Sequence, residues 1–571
     1  MRIISWPTST IELPDRSIFS PIVESAPPIL FCLKDFYSYK VMGIPSYFRH
    51  ILSKYPNLLT GASTLVGDIL LVDFNCLIYG CLGDPKLPTP YTHDTRLVWE
   101  NALIRVIQDY VNLLWTTAGK PAQILLAVDG VVPMAKIRQQ RLRRFKSIWL
   151  SEKEREVNQG HVAKECWDTN SITPGTEFME RLSVALSAMC KQRSVSWISS
   201  GAEEAGEGEQ KLMAWVRAQA PGSLDGKRIV VYGLDADLIV LCLLHATLVA
   251  PNSKWSILRE SKEFGAAATE PFLTLNVNGF LEVLFPRVAS RKQEILDYVC
   301  GMSLLGNDFL PHSLSMTIRG GGHDRLCAEL ERLHAKSMFL VCNAPGSNAD
   351  TGPYRIQPES LLTLLSNWSE TETRDIEAAF DKKYKMRAGP PKTDAERRMR
   401  PVQNLPIEWR EEYSMWDRSS GQLRDNWENT YYPDFSKQDV TEQCSTYVKG
   451  LQWILDYYTG APVSYEWMYP WTHPPLWKDL RDYVDGIITM PLPVTKGAPV
   501  KPQEQLSLVL PLESWWLVRD PVLKRMPTTL PVFWPKSYEF HSLGKRWLWE
   551  CYPSIPIMTP GRLRHYLRST L

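Results

Sequence analysis

Three apolar runs in this chain break off at an aspartate, and that repetition constrains the fold more than any other feature. Ile69-Leu-Leu-Val-Asp73, Ile124-Leu-Leu-Ala-Val-Asp129 and Ile229-Val-Val-Tyr-Gly-Leu-Asp235 are short, aliphatic and β-branched, as strands buried on both faces are. Between the first two, Leu97 to Leu114 has apolar residues every three or four positions, which predicts a helix that crosses over and returns the chain parallel. Residues 176 to 190 predict another helix, Ser194 to Ile198 a short strand, and Glu207 to Ala218 a third helix. The expected class is α/β, with a mostly parallel sheet flanked by helices. Sheets of this kind bind ligands beyond the carboxyl ends of their strands, where Asp73, Asp129 and Asp235 stand.

More acids belong with these three. Asp237 follows Asp235 by two residues, Glu207 and Glu209 flank a glycine at the mouth of the Glu207 helix, and Asp308 lies in Gly306-Asn-Asp-Phe309. Either pair alone reads equally as a solvated helix start or an ordinary strand-to-helix loop. Seven acids repeating one placement point instead to a shared site, where mutual repulsion calls for divalent cations and oxygen ligands favour Mg²⁺ or Mn²⁺.

A second signal follows Asp129 by seven residues. In Lys136-Ile-Arg-Gln-Gln-Arg-Leu-Arg-Arg-Phe-Lys146, Lys136, Gln140, Arg143 and Arg144 are spaced i, i+4, i+7 and i+8 and share one helical face. A solvated basic face is the plain reading. The alternative is an anion site beside the cations, since guanidinium forks and an ammonium suit a terminal phosphate.

Composition limits the rest. Of 571 residues, Lys plus Arg (64) nearly balance Asp plus Glu (63), so any basic surface for nucleic acid is local. The eleven cysteines form no CxxC pair, which predicts a reducing, intracellular compartment, cytoplasmic before nuclear. No apolar run approaches the ~20 residues of a membrane helix, so no membrane partner is expected. Residues 1–41 are rich in proline and serine without sustained periodicity and are expected to be an extension dispensable for activity.

The opening Met42-Gly-Ile-Pro-Ser-Tyr-Phe-Arg-His-Ile-Leu-Ser-Lys-Tyr-Pro56, with Val72-Asp-Phe-Asn75, Val128-Asp-Gly-Val-Val-Pro133, Ile172-Thr-Pro-Gly-Thr-Glu-Phe178, Gly206-Glu-Gly-Glu209, Leu234-Asp-Ala-Asp237 and Gly306-Asn-Asp-Phe-Leu-Pro311, resembles the XRN family of 5′→3′ exoribonucleases in order and spacing. The resemblance implies a PIN-like or flap-endonuclease-like core over 42–325. It also implies a second, largely helical and aromatic-rich lobe over 326–571 that closes over the site; within it the basic residues near 382–400 themselves predict a mobile, solvated linker. It implies a minimal catalytic core, two metal ions held by Asp73, Asp129, Glu207, Glu209, Asp235, Asp237 and Asp308, and a 5′-monophosphate pocket of Lys136, Gln140, Arg143 and Arg144. The expected substrate is single-stranded RNA with a 5′-monophosphate, degraded processively to mononucleotides by a monomer whose protein partners the sequence leaves unknown. Tyr79 stands where the family has a histidine, and Trp467 matches the family's tryptophan near the first base; both are stacking candidates. Trp471-Thr472-His473 also departs from the family pattern. Two other readings stay open: a catalytically weak relative kept for RNA binding or structure, and a flap-type DNA nuclease, which the second lobe disfavours.

Overall fold

A computed structural model describes residues 44 and 46–570, apart from 158–165, 194–195, 262–269, 349–351 and 494–496. The extension over 1–41, and Pro45 within the opening motif, lie outside the described residues.

Seven strands form one sheet: β1 (Leu59–Gly61), β2 (Ile69–Asp73), β3 (Gln123–Ala127), β4 (Trp197–Ser200), β5 (Arg228–Tyr232), β6 (Lys254–Glu260) and β7 (Phe272–Asn276), in the order β1-β7-β6-β5-β2-β3-β4. The five strands from β6 to β4 run parallel, and β7 joins antiparallel at β6. The parallel part of the sheet starts at β2, builds outward through β3 and β4, and returns to build on the other side through β5 and β6. Strand order therefore reverses at β2, and the crevice at such a switch point is where an open α/β sheet binds its ligand.

The strands alternate with α1 (Tyr47–Lys54), α2 (Phe74–Cys81), α3 (Arg96–Thr117), α4 (Met134–Val157), α5 (Glu177–Arg193), α6 (Gly208–Arg217) and α7 (Asp237–Leu248). Side chains on successive strand residues go to opposite faces, and the two cores divide accordingly. Leu70, Val72, Ile124, Leu126, Val230 and Tyr232 pack under α2, α3 and α5. Ile69, Leu71, Leu125, Ile229 and Val231 face α6 and α7 and the helices that follow.

That second core continues without a break into the rest of the chain. It takes in α8 (Val277–Leu284), α9 (Arg291–Leu304), α10 (Gly322–Ala335), α11 (Pro358–Ser369) and the long α12 (Lys437–Thr459), so the second lobe is fused to the sheet rather than tethered to it. The other joint is at α4, whose Met134, Ile137, Leu142 and Phe145 pack against Leu506, Leu508, Val518, Phe533 and Trp534. Arg141 is buried there and donates to Leu508 O (3.0 Å), Pro556 O (3.2 Å) and Phe533 O. Three carbonyls and the faces of Phe145 and Trp534 offset the cost of burying its charge.

One stretch differs from expectation. The basic segment over 382–400 lies mostly in helices, Glu372–Lys385 and Asp394–Gln403, with Lys383 buried on Glu412 and Met399 buried as well.

Candidate active site

β2 ends on Asp73 at the switch point, with its neighbours β3 and β5 delivering Asp129 and Asp235 just beyond their own ends. Glu207 caps α6, Glu209 lies in its first turn, and Asp237 opens α7. Gly208 explains the Glu-Gly-Glu spacing: a Cβ there would fall 2.5 Å from Asp73 Oδ1 and 2.7 Å from Ala127 O. Only glycine lets the helix mouth come this close to the strand ends. The loops are pinned together by Gly130 N–H donating to Gly206 O (2.9 Å) and Gly206 N–H to Val131 O (2.8 Å). All seven predicted acids are brought to one end of the sheet, linked through contacts with Lys136, Gly208 and one another.

Four of the seven are oriented by donors from elsewhere. Asp129 accepts from Gly208 N–H (2.7 Å) and from Asn75 Nδ2 (2.9 Å), whose Oδ1 in turn accepts from Asp129 N–H (3.2 Å). Asp237 accepts from Ile44 N–H (2.8 Å) and the Tyr458 hydroxyl (3.1 Å). Glu207 accepts from the Tyr457 hydroxyl (2.8 Å) and pairs with Lys136, and Asp308 takes Lys136 Nζ (2.7 Å) and Gln139 Nε2 (3.3 Å). Asn75, Gln139, Tyr457 and Tyr458 escaped the sequence reading as site residues. Asn75 sits two residues after Asp73 in the first strand-end motif, and Tyr457 and Tyr458 are both buried in the core that joins the two lobes, where their spacing does not set them apart from packing aromatics.

The electrostatics are those of crowded acids. Burial, then Asp129 and Asp235, push the Asp73 carboxyl well above its ordinary range, and burial with Glu207 and Asp237 does the same to Glu209. Burial outweighs Lys136 and raises Glu207, lifts Asp235 to about 6, and lifts Asp237 to about 8. For Lys136, burial opposes its charge, but Asp308 and Glu207 prevail and hold its pKa well above the ordinary value. One ammonium does not answer this much negative charge. Glu209 Oε2 and Asp235 Oδ1 are buried without a hydrogen-bond partner. An all-oxygen donor set with orphaned carboxylate oxygens fits a hard divalent cation.

The α4 face is only partly assembled as expected. Lys136 turns to the acids, Gln140 is buried, and Arg144 is buried with its guanidinium on Asn170 Oδ1, burial lowering its pKa to about 10. Of the four, Arg143 alone lines a cavity of about 160 Å³, with Arg138, Lys146, Asp308, His312, Lys545, Trp471 and Trp549 among its walls. The predicted residues thus flank a route from the acids into a cationic, aromatic-lined space rather than closing around one point. Tyr79 projects from α2 near Arg144. Trp467 stacks on Trp453 (centroids 5.1 Å apart), which stacks on Tyr457 (4.9 Å), so an aromatic column leads from Trp467 to the tyrosine that holds Glu207.

Comparison with known proteins agrees with this geometry. The family model described as XRN 5'-3' exonuclease N-terminus matches residues 42–261, and the Xrn1 helical domain matches residues 424–570. The chain is 27% identical to 5'-3' exoribonuclease 1 of Homo sapiens over 91% of its length and 34% of that protein. It is 26% identical to 5'-3' exoribonuclease 1 of Saccharomyces cerevisiae over 91% and 43%, and 24% identical to 5'-3' exoribonuclease 2 of Gallus gallus over 92% and 69%. It spans between a third and a half of the length of the exoribonuclease 1 relatives. Both conserved regions match in order around a sheet that gathers seven acids at its switch point, and the chain belongs to the XRN family.

Proposed function

We propose that this chain is a divalent-metal-dependent 5′→3′ exoribonuclease that acts on single-stranded, 5′-monophosphorylated RNA. The observation that carries the proposal is the acid cluster at the β2 switch point, set against the cationic face of α4 and roofed by α12. Two Mg²⁺ or Mn²⁺ ions, when bound, would polarise an attacking water and stabilise charge on the scissile phosphate and leaving oxygen. Glu209, Asp235 and Asp73 are the candidates to hold them, with Asp129, Asp237, Glu207 and Asp308 oriented by the hydrogen bonds described above. Lys136 lies between Glu207 and Asp308, placed to neutralise a phosphate arriving beside the acids. Arg143 and the cavity beyond it offer guanidinium and ammonium groups for backbone phosphates, and Trp471 and Trp549 offer faces for bases.

Selection of the 5′ end falls to Gln140, Arg143 and Arg144 together with Lys136. A 5′-monophosphate brings a dianion to these cations, whereas a 5′-hydroxyl brings no charge and a cap presents a bulkier end whose terminal phosphates are esterified. Tyr79 and Trp467 are proposed to stack the terminal bases. Matching RNAs ending in monophosphate, hydroxyl or cap, incubated with and without Mg²⁺, test the reading directly. Mononucleotide release that needs metal and follows the order monophosphate, hydroxyl, cap supports it, and Arg143→Ala should narrow the monophosphate-to-hydroxyl ratio. Binding without hydrolysis would favour the RNA-binding relative, and preferential cutting of DNA flaps the third reading. The proposed compartment is intracellular, cytoplasmic before nuclear.

A further inference from the structure

Among the described residues, three metal-ligating groups bring their donor atoms within 4.8 Å of one another, and none belongs to the acid cluster: His50, His323 and Asp324. We infer that they form a transition-metal site, filled most readily by Zn²⁺, that staples α1 to α10, with Cys327 as the fourth ligand.

For three of the donors the distances are those of a coordination shell. His50 Nε2 lies 3.1 Å from His323 Nδ1, and Asp324 Oδ1 lies 3.6 Å from the first and 3.7 Å from the second. Zinc bonds of ~2.0–2.1 Å to nitrogen or oxygen and ~2.3 Å to sulfur place tetrahedral neighbours roughly 3.3–3.6 Å apart, so a sub-ångström adjustment brings these three onto one ion. Cys327 Sγ lies 4.0 Å from His323 Nδ1 and 3.8 Å from its Nε2, outside the three mutually close donors, so its side chain must rotate to take the fourth position. Three ligands come from one helix at i, i+1 and i+4, and His50 is brought from α1.

His323 is fully buried and set in one orientation by its other nitrogen. Its Nε2 meets the Tyr298 hydroxyl at 2.8 Å, and Tyr298 meets the Tyr47 hydroxyl at 2.5 Å. With Nε2–H donated to that hydroxyl, the Nδ1 lone pair faces His50, the arrangement by which a ligand histidine is usually fixed. Asp324 is half-exposed, leaving a path for the ion. The mixed nitrogen, oxygen and sulfur set favours Zn²⁺ and excludes Mg²⁺ as a competitor.

One cation competes locally. Lys54 Nζ sits 2.5 Å from the same Asp324 oxygen, so a metal ion must displace it. The consequence of binding is positional: α1 begins just after Ile44, whose N–H holds Asp237, and the staple would fix the helix that follows this donor to the acid cluster.

The test uses the full chain in saturating Mg²⁺, which keeps the carboxylates occupied by a hard ion. Zn²⁺ is titrated and retained metal counted after dialysis; Co²⁺ is then used as a spectroscopic probe. One retained Zn²⁺, at least tenfold weaker binding in His50→Gln, and tighter binding in Lys54→Met support the site. A tetrahedral cobalt spectrum with a thiolate charge-transfer band that Cys327→Ser abolishes supports the fourth ligand, and a tetrahedral spectrum lacking the band removes Cys327 from the set. If His50→Gln, checked to melt as the wild type does, retains as much Zn²⁺ as the wild type, the inference is overturned.

Discussion

Replacing Asp235 by asparagine should abolish hydrolysis and stabilise the protein at the same time. Asp235 contributes an oxygen with no hydrogen-bond partner, and burial lifts its pKa from 3.8 to about 6. Two pH units correspond to ~3 kcal/mol of ionisation cost in the folded state. The sign follows from linkage: a carboxyl whose folded pKa is raised favours the fold below its unfolded pKa, and that contribution is lost as pH rises through the folded value. Asparagine escapes the loss. Its advantage should be absent near pH 4 and complete above about pH 7, where ~3 kcal/mol amounts to about 2–3 °C for a chain of this length, somewhat less because water still reaches the half-buried side chain. Thermal melts in chelator at both pH values measure it. In Mg²⁺ the ranking should reverse, because the wild type gains stability from the ion and the variant gains less. An asparagine variant that melts below the wild type in chelator at pH 7.5 would refute the reasoning, since Asp235 would then be a stabilising partner and not a repelled ligand.

Tyr457→Phe removes the hydroxyl that holds Glu207 at 2.8 Å. A hydrogen bond to a charged group is worth ~1.5–3 kcal/mol, so turnover should fall roughly ten- to a hundredfold with little change in RNA affinity, read from single-turnover rates against binding isotherms. Gly208→Ala should lose activity at least as completely and melt lower, because its Cβ must displace Asp73 or the backbone of β3. His245 is buried, with Arg217 Nη1 donating to Nε2 (2.7 Å) and Nδ1 on Leu241 O (2.9 Å), and burial lowers its pKa from 6.5 to about 3. The unfolded chain takes up this proton first, so stability should fall with pH between about 6.5 and 3, by up to ~1.4 kcal/mol per unit. His245→Gln should reduce that slope in urea titrations whatever its effect at neutral pH.

The sheet was readable because its signals are local. A buried strand such as Ile69–Asp73 announces itself in five residues, and the helix over Arg96–Thr117 repeats its period through six turns. The placement of the acids follows from strand ends alone. What escaped depends on partners far along the chain. Tyr457 and Tyr458 read as core aromatics because the acids they serve lie 250 and 221 residues earlier. The segment over 382–400 reads as solvated coil from its charges and its Gly389-Pro-Pro391, yet Lys383 is buried because Glu412 meets it there. His50 gave no signal in a helix of ordinary amphipathic pattern, since its partner His323 is 273 residues away.

The same long-range contacts explain why the two lobes work as one object. An acid cluster at the edge of a sheet would by itself push its loops apart, since burial and repulsion raise five of its seven carboxyls. The second lobe opposes this with specific donors. Tyr457 and Tyr458, at the end of α12, reach Glu207 and Asp237, while Val132 N–H reaches Gln505 Oε1 (2.9 Å) and Met134 N–H reaches Tyr465 O (3.0 Å), fixing the segment that carries Lys136 into the site. Each of these bonds crosses between regions that the family models match separately. Removing the second lobe would therefore do more than expose the first: it would strip two carboxylates of their hydroxyl partners and release the start of α4, leaving repulsion among the acids opposed by Lys136 and whatever cations they recruit.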